Sequence, residues 1–284
     1  KGSATGTAGK DGGTITAAAY TDPNDTNRDG YHDGDVAVIN AMIRNNGLSA
    51  TENAPAGWGF VQWNSAAPRR IVGLEMNAKR LTGTLNLTGL TELTDVDCSE
   101  NLLTDINGLP ALTKLEQLDC ADTDIRRLDV SGNPALIHLD CQSCPLTCLN
   151  VGENTGLDLQ KSDTAMDLQV TEDTFKITDK IAGIDPSKVE VLSGADYDKT
   201  TGTVSNYRSG IPIVYTYDAG TTKDGKSQLK VTLAVTVSRL QNAWTTEPSI
   251  EDWTYGELAK TAVGSAKYGT VAFTWSDSEN GPFK

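Results

Sequence analysis

The chain has 284 residues, and its 24 Lys and Arg residues stand against 38 Asp and Glu residues, which gives a formal net charge of −14. Nucleic acids and anionic membrane surfaces require a basic face, so this charge argues against both as partners. No apolar run approaches the roughly 20 residues of a membrane-spanning helix, so no transmembrane segment is predicted. The length predicts two or three domains.

The first two segments differ in composition. Residues 1–20 are rich in Gly, Ala and Thr, and we expect a flexible lead there. Residues 21–70 are predicted to form an N-terminal cap, in which apolar residues at positions 36, 39 and 43 have helical spacing and Gly47 supplies a stop signal. Trp58 and Trp63 follow, and we expect them to seal the open end of the next segment; stacking on sugar rings is the alternative.

An acidic loop precedes this helix, with oxygen-bearing side chains at alternate positions and Gly30 at the sixth position. This is the opening half of an EF-hand-type loop, and it resembles dockerin and thrombospondin-type calcium loops. It departs from them at the last ligand, where Val36 replaces an acid. The candidate ligands for Ca²⁺, the one cofactor considered, are Asp25, Asn27, Asp29, Tyr31, Asp33 and Asp35. The alternative is an acidic turn in which Asp33 or Asp35 caps the helix.

Three cysteines mark a repeat, because Cys98, Cys120 and Cys141 follow one another at intervals of 22 and 21 residues, each directly after an aspartate. This period and its apolar spacing are typical of leucine-rich repeats. Over residues 71–168 we therefore predict an α/β leucine-rich-repeat solenoid with short parallel strands on the concave face. The three cysteines should be buried free thiols in its core, and a bridge between Cys144 and Cys148 is left open as an alternative.

The remaining segments have the patterns of β-structure. Residues 229–237, LKVTLAVTV, alternate apolar and polar side chains, and turn signals separate similar runs. Residues 169–239 are therefore predicted to form an all-β immunoglobulin-like sandwich. Residues 240–284 contain a strand candidate at 269–275 but are short for an independent β domain, so we expect a partial β module.

The order of cap, repeats and sandwich resembles the internalin-like leucine-rich-repeat surface proteins of bacteria. Residues 103–115, LTDINGLPALTKL, are similar to the internalin repeat, and residues 128–136, LDVSGNPAL, are similar to repeats in surface proteins of gut bacteria. The resemblance implies an extracellular protein, secreted or attached to the cell surface, that binds other molecules. We expect a monomer that recognises a protein or glycan on a host or neighbouring cell.

The repeat register also predicts a binding face. In each strand the residues between the apolar positions point outward, and neighbouring strands lie about 4.8 Å apart, so four carboxylates should form one column. Such a face would attract a cation or a basic partner; the alternative is that hydration and neighbouring polar side chains make the column tolerable without any ligand. The predicted binding residues are Glu75, Asn77, Asp95, Asp97, Ser99, Gln117, Asp119, His138, Asp140 and Gln142.

Enzymatic activity is not predicted. The two histidines, His32 and His138, lie in different segments, and the sequence shows no nucleophile elbow, paired histidine ligands or phosphate-binding loop. The sequence therefore predicts a non-enzymatic, adhesin-like binding protein that recognises a protein partner through the concave face. The alternative is a carbohydrate-binding module or a structural spacer of a cell-surface protein.

Overall fold

The computed structural model describes residues 22–238 in full and, beyond them, only the backbone of two strands. The expected flexible lead, residues 1–20, and most of the expected partial module, including the strand candidate at 269–275, lie outside the described residues.

Within the described part of the chain, the helices are α1 (Asp33–Asn46) and α2 (Ile177–Lys180), with short 3₁₀ turns at Pro55–Gly57, Leu109–Ala111 and Pro186–Lys188. The strands are β1 (Val61–Trp63), β2 (Ile71–Glu75), β3 (Thr82–Asn86), β4 (Asp95–Asp97), β5 (Leu102–Asn107), β6 (Gln117–Asp119), β7 (Arg127–Asp129), β8 (His138–Cys141), β9 (Cys148–Asn150), β10 (Gly152–Glu153), β11 (Asp158–Lys161), β12 (Thr164–Val170), β13 (Phe175–Lys176), β14 (Val189–Ser193), β15 (Asp196–Asp198), β16 (Thr203–Ser205), β17 (Ile213–Thr222), β18 (Gly225–Val237), β19 (Trp244–Ser249) and β20 (Val263–Ala266).

Helix α1 forms where the apolar spacing predicts it, but its cap differs from the expectation. The N-cap is His32, whose Nδ1 accepts a hydrogen bond from the backbone N–H of Asp35 at 3.3 Å. The prediction that Asp33 or Asp35 caps the helix is wrong, because the Asp35 carboxylate is turned away to Arg70 and the Asp33 carboxylate to Thr26. The helix ends at Gly47, which has the left-handed conformation (φ 61°) common after a helix C-terminus.

The repeat segment forms a leucine-rich-repeat-like β-solenoid. Its inner sheet has six strands in the order β1-β2-β4-β6-β8-β11; β1 is antiparallel to β2, and the next five strands are parallel, so they define four turns. Leu74, Val96, Leu118 and Leu139 share one rung-to-rung column and are at most 2% exposed. Stacking of equivalent side chains from turn to turn therefore builds the core.

The back of the solenoid is less helical than the α/β class implies. In residues 71–168, all of which the structure describes, the connecting stretches hold two parallel ladders, β3-β5 and β7-β9, and one 3₁₀ turn, but no α-helix. At Gly108 the backbone has φ 96°, and a Cβ there would lie 2.7 Å from the backbone nitrogen of Thr88. Gly108 thus lets this stretch lie close to the preceding turn.

The cysteines lie inside the solenoid. Cys98, Cys120 and Cys141 are fully buried, and Cys144 and Cys148 are nearly so; all five are free thiols, without a bridge between Cys144 and Cys148. Burial raises the pKa of the Cys98 and Cys141 thiols well above the usual range. The ladder therefore packs as small apolar side chains rather than presenting reactive thiolates.

The segment after the repeats, together with β10 of the last turn, forms two sheets. One has the order β10-β17-β18-β12 with β14 paired to β17, and the other has the order β13-β16-β15. In β18 the alternating residues Leu229, Val231, Leu233 and Val235 are at most 3% exposed, as the sequence pattern predicts. The assignment of these sheets to an immunoglobulin-like sandwich stays a prediction.

The solenoid and this second unit share one core. Strand β10, which lies within the last turn between β9 and β11, pairs in parallel with β17, and the buried Tyr215 hydroxyl donates a hydrogen bond to the Thr147 carbonyl at 2.8 Å. Apolar residues of both units belong to a single buried cluster. The second unit thus covers the C-terminal end of the repeat core, as α1 and β1 cover its N-terminal end.

Candidate functional site

The predicted column of carboxylates is present on the inner sheet. Glu75 is the backbone partner of Asp97, Asp97 of Asp119, and Asp119 of Asp140. We call these four residues the acidic strip. The strip ends on neutral amides, because Gln160 is the next rung beyond Asp140, and Gln62 of β1 donates a hydrogen bond to Glu75 at 2.7 Å.

Each aspartate of the strip is partly satisfied by its own chain. One carboxylate oxygen accepts a hydrogen bond from the backbone N–H two residues further on: Asp97 from Ser99 at 3.1 Å, Asp119 from Ala121 at 3.0 Å, and Asp140 from Gln142 at 2.9 Å. Such bonds favour the charged form of a carboxylate and so offset part of the repulsion along the strip. The repeated turns also fix the direction of each side chain.

A second column runs beside the strip and completes a shallow cleft. Its rungs are Gly73, Asp95, Gln117, His138 and Asp158. The cleft has a volume of about 300 Å³ and lies between this column and three members of the strip, Glu75, Asp97 and Asp119. Gln62 lines one end of it. Asp158 at the far end forms an ion pair with Lys223 from the β17–β18 hairpin.

The electrostatics of the cleft are seen most clearly at Asp119. Its pKa is raised above the ordinary value of 3.8, chiefly by burial and further by the charges of Asp97 and Asp140; the Ala121 amide and His138 oppose this shift. Within residues 22–238, no Lys or Arg nitrogen lies within 4.0 Å of a strip carboxylate. The strip therefore keeps an uncompensated negative charge.

The structure places the ten predicted binding residues unevenly. Seven belong to the two columns just described, and Gln142 lies exposed beside them, hydrogen-bonded to Gln160. Asn77 follows the end of β2. Ser99 is 9% exposed and its hydroxyl is turned to Asp97 at 2.7 Å, so it supports the strip instead of facing a partner.

The residues at the two ends of the acidic face were not predicted from the sequence. Gln62 lies on the antiparallel strand β1, in a stretch whose aromatic residues obscured its alternation, and Gln160 with Asp158 belongs to a degenerate last turn. The alternation of Val61 and Trp63 around Gln62 was the available signal for the first. Lys223 comes from another unit, and no local pattern indicated its contact.

The aromatic residues before the repeats pack into the cap. Trp58 is 3% exposed, and its indole N–H donates a hydrogen bond to the Thr51 carbonyl at 2.8 Å. Trp63 stacks on Trp58 with ring centroids 6.2 Å apart, and Tyr31 meets it edge-on at 4.7 Å. These contacts match the sealing role expected for the pair and leave little ring face for a sugar.

The acidic loop before α1 is held by its own hydrogen bonds. Asp25 accepts from Gly30 at 3.1 Å, Asn27 from Asp29 at 2.9 Å, Asp29 from Tyr31 at 2.9 Å, and Asp33 from Thr26. One carboxylate oxygen of Asp25 is buried without a hydrogen-bond partner, and a bound cation would supply one. Within the described residues, however, no three His, Cys, Asp or Glu side chains converge as a ready metal site.

Asp35 does not belong to that loop. It is fully buried, and Arg70 holds both its carboxylate oxygens at 2.9 and 3.0 Å. The backbone N–H of Ile71 donates to the same carboxylate at 2.8 Å. Asp35 therefore fastens α1 to the first strand of the parallel stack and is not available as a calcium ligand.

These features define the chain as a leucine-rich-repeat-like solenoid with an acidic face on its six-stranded sheet. Among solved structures it is similar to the functional domain of InlJ from Listeria monocytogenes, which is described as including a cysteine ladder. The identity is 21%, the TM-score is 0.27, and the match covers 55% of this chain and 43% of that chain, which is less than half of its length. Similarity at this level carries no information on the partner.

No protein-family model and no curated protein matches the chain. In the part of the chain that the structure describes, no helix is long and apolar enough to cross a membrane.

Proposed function

We propose that this chain is a non-enzymatic extracellular binding protein, adhesin-like in type, that recognises a basic protein surface through its concave face. The acidic strip is the observation that carries the proposal. It places four acidic side chains in register on the exposed side of a rigid sheet.

Among the described residues, the acidic strip has no Lys or Arg partner that would neutralise its charge. Its carboxylates repel one another across neighbouring strands, and its backbone hydrogen bonds reduce this repulsion without neutralising the charge. A lysine or arginine of a partner would be attracted by several carboxylates at once. Complementary charge of this kind increases the association rate and excludes acidic partners. The net charge of −14 acts in the same direction at longer range.

The wider setting of the proposal comes from the resemblance to internalin-like bacterial surface proteins. On that resemblance we propose that the protein acts outside the cell, secreted or attached to the surface, with the second unit as an immunoglobulin-like spacer. We propose no catalytic role. A calcium ion at the loop of residues 25–33 would stabilise the cap, far from the strip in sequence.

The alternative, a carbohydrate-binding module, has less support. Its proposed surface was the Trp58 and Trp63 pair, and both rings are engaged in the cap. A purely structural spacer has no need of the strip, so the strip variant described next also tests that alternative.

The test compares three proteins on a panel of purified extracellular proteins of graded isoelectric point and on a glycan array, each with and without calcium. They are the wild type, the strip variant Asp97→Asn with Asp119→Asn, and a control with the same charge loss, Asp167→Asn with Asp173→Asn. The control residues are exposed and lie in the second unit. We expect binding to one or a few basic proteins that is about tenfold or more weaker in the strip variant and unchanged in the control. Equal binding by all three proteins, or binding to glycans alone, would refute the proposal.

A further inference from the structure

A pocket on the opposite side of the molecule is not explained by the proposed function. It lies where the back of the solenoid meets the second unit, and its volume is about 470 Å³. Its floor is apolar, since Leu128, Cys148, Leu149 and Tyr217 line it and are each at most 6% exposed. We call it the junction pocket. Its volume is within the range of small-molecule sites.

Two cations at the rim have unused hydrogen-bonding capacity. The Lys188 ammonium donates to the Asn150 side-chain oxygen at 3.0 Å and lies 5.9 Å from the centre of the Tyr217 ring. Among the described residues, no carboxylate lies within 4.0 Å of it, and Arg127 has only a loose ion pair with Asp105 at 3.8 Å. An ammonium offers three donors and a guanidinium five, so most of these N–H groups lack a protein acceptor.

The carboxylates at the rim are occupied by their own chain. Asp129 accepts from the backbone and hydroxyl of Ser131 at 3.0 and 2.7 Å and from the Asn150 amide at 3.1 Å. Asp185 accepts from the backbone and hydroxyl of Ser187 at 2.9 and 2.7 Å. For Asp129 these hydrogen bonds outweigh burial and lower the pKa, and the Ser187 bonds lower the pKa of Asp185. Both stay ionised; the two Ser187 bonds fall on one oxygen of Asp185, whereas both oxygens of Asp129 accept hydrogen bonds.

The donors of Arg127 and Lys188 lie above an apolar floor, so the pocket suits a ligand with a carboxylate on a compact body. Three rim carboxylates, those of Asp105, Asp129 and Asp185, accompany the two cations, and because their repulsion grows with the charge of the anion, they disfavour phosphate more than a monocarboxylate. We propose that the junction pocket binds a small monocarboxylate, held by Arg127 and Lys188.

Both units contribute to this site. Arg127, Asn150 and the floor residues Leu128, Cys148 and Leu149 come from the solenoid, and Lys188 and Tyr217 come from the second unit. The Arg127 guanidinium lies against Gly183 of the second unit, where a Cβ would be 2.8 Å from its Nη1. A ligand here would therefore bridge the two units.

The experiment is a ¹⁵N NMR titration of the whole chain with two carboxylates from different sources, D-glucuronate and N-acetyl-alanyl-alanine. The matched controls are their neutral amides, glucuronamide and N-acetyl-alanyl-alanine amide. We expect one acid or both to shift the backbone signals of Cys148, Asn150 and Lys188 with a dissociation constant of about 1 mM, whereas the amides leave them in place. The acid that binds more tightly identifies a sugar acid or a peptide carboxyl terminus as the source.

Variants locate the effect. Arg127→Gln with Lys188→Gln should weaken binding about tenfold or more, and the exposed Lys226→Gln should not. The spectrum of each variant reports whether it folds. Absence of shifts up to about 20 mM of either acid, equal shifts with the amides, or unchanged affinity in the double variant would overturn the proposal. The strip variant Asp97→Asn with Asp119→Asn should retain this binding, so failure of the concave-face function and failure of the pocket are distinguishable.

Discussion

Replacing Asp119 with asparagine removes the central charge of the acidic strip and leaves its geometry in place. The Asn side-chain oxygen can still accept the hydrogen bond that Asp119 receives from Ala121 at 3.0 Å. Two neighbouring carboxylates, Asp97 and Asp140, lose a repulsive partner. The Asp119→Asn variant should therefore be more stable than the wild type.

The size of the effect follows from the strand spacing. At about 4.8 Å, two charges repel by about 0.9 kcal/mol in water, and salt at about 0.15 M reduces this by roughly half. Asp119 has two such neighbours, so the free energy of unfolding should rise by about 1 kcal/mol. For a protein of this size, the melting temperature should rise by about 2–4 °C.

The gain should depend on pH in a defined direction. Burial and the neighbouring charges raise the pKa of Asp119 above 3.8, so the folded state holds this proton to higher pH than the unfolded state. The stability of the wild type consequently falls as the pH rises through this range, and the penalty is complete above the folded-state pKa. The advantage of Asp119→Asn should be full at pH 7 and absent at about pH 3, where both states of the wild type are protonated.

The assay is urea unfolding at pH 7 and at about pH 3, each at low and at high salt. The control is Asp167→Asn, an exposed acid of β12 outside the strip, which should change stability by less than about 0.5 kcal/mol. A second variant, Gln160→Glu, adds a carboxylate beside Asp140 and should lower stability by about 0.5 kcal/mol. If Asp119→Asn destabilises the protein at pH 7, or if its gain is the same at both pH values, repulsion along the strip is not the cause.

Three further predictions concern the cap and the core. Asp35→Asn should cost about 3 kcal/mol in urea unfolding, because it leaves Arg70 without its buried partner; a loss under about 1 kcal/mol would contradict the fastening role. Calcium at about 100 times its dissociation constant should stabilise the wild type by about 2.7 kcal/mol and Asp25→Ala by much less, as measured by melting with magnesium as the control; equal curves would exclude the loop as a calcium site. All five thiols should resist a disulfide reagent in the native protein and react together in denaturant, and rapid labelling of the folded chain would show that the ladder is accessible.

The repeat period predicted the architecture because each turn repeats the same contacts. The positions of Cys98, Cys120 and Cys141 set the register, and that register placed Asp97, Asp119 and Asp140 outward in one column. The same register gave a wrong prediction for Ser99, two residues after Asp97. Ser99 was expected to face a partner, but its backbone N–H and its hydroxyl both donate hydrogen bonds to Asp97. Its side chain is therefore largely covered.

Features that depend on partners distant in sequence could not be predicted. Nothing near Asp35 indicates that Arg70, 35 residues away, would take its carboxylate and leave the helix cap to His32. The junction pocket likewise needs Lys188 beside Asn150, close to where β17 of the second unit pairs with β10 of the last turn. Local patterns define strands and faces, whereas such contacts depend on how the units meet.

That shared pairing affects how the array unfolds. A stack of repeats usually loosens from its ends, because a terminal turn has one neighbour fewer than the others. Here the last turn is tied through β10 to β17, which is itself the centre of a sheet with β18 and β14. Fraying from the C-terminal side would have to open that sheet and expose Tyr215, so unravelling should start at the other end, where α1 is held by Asp35.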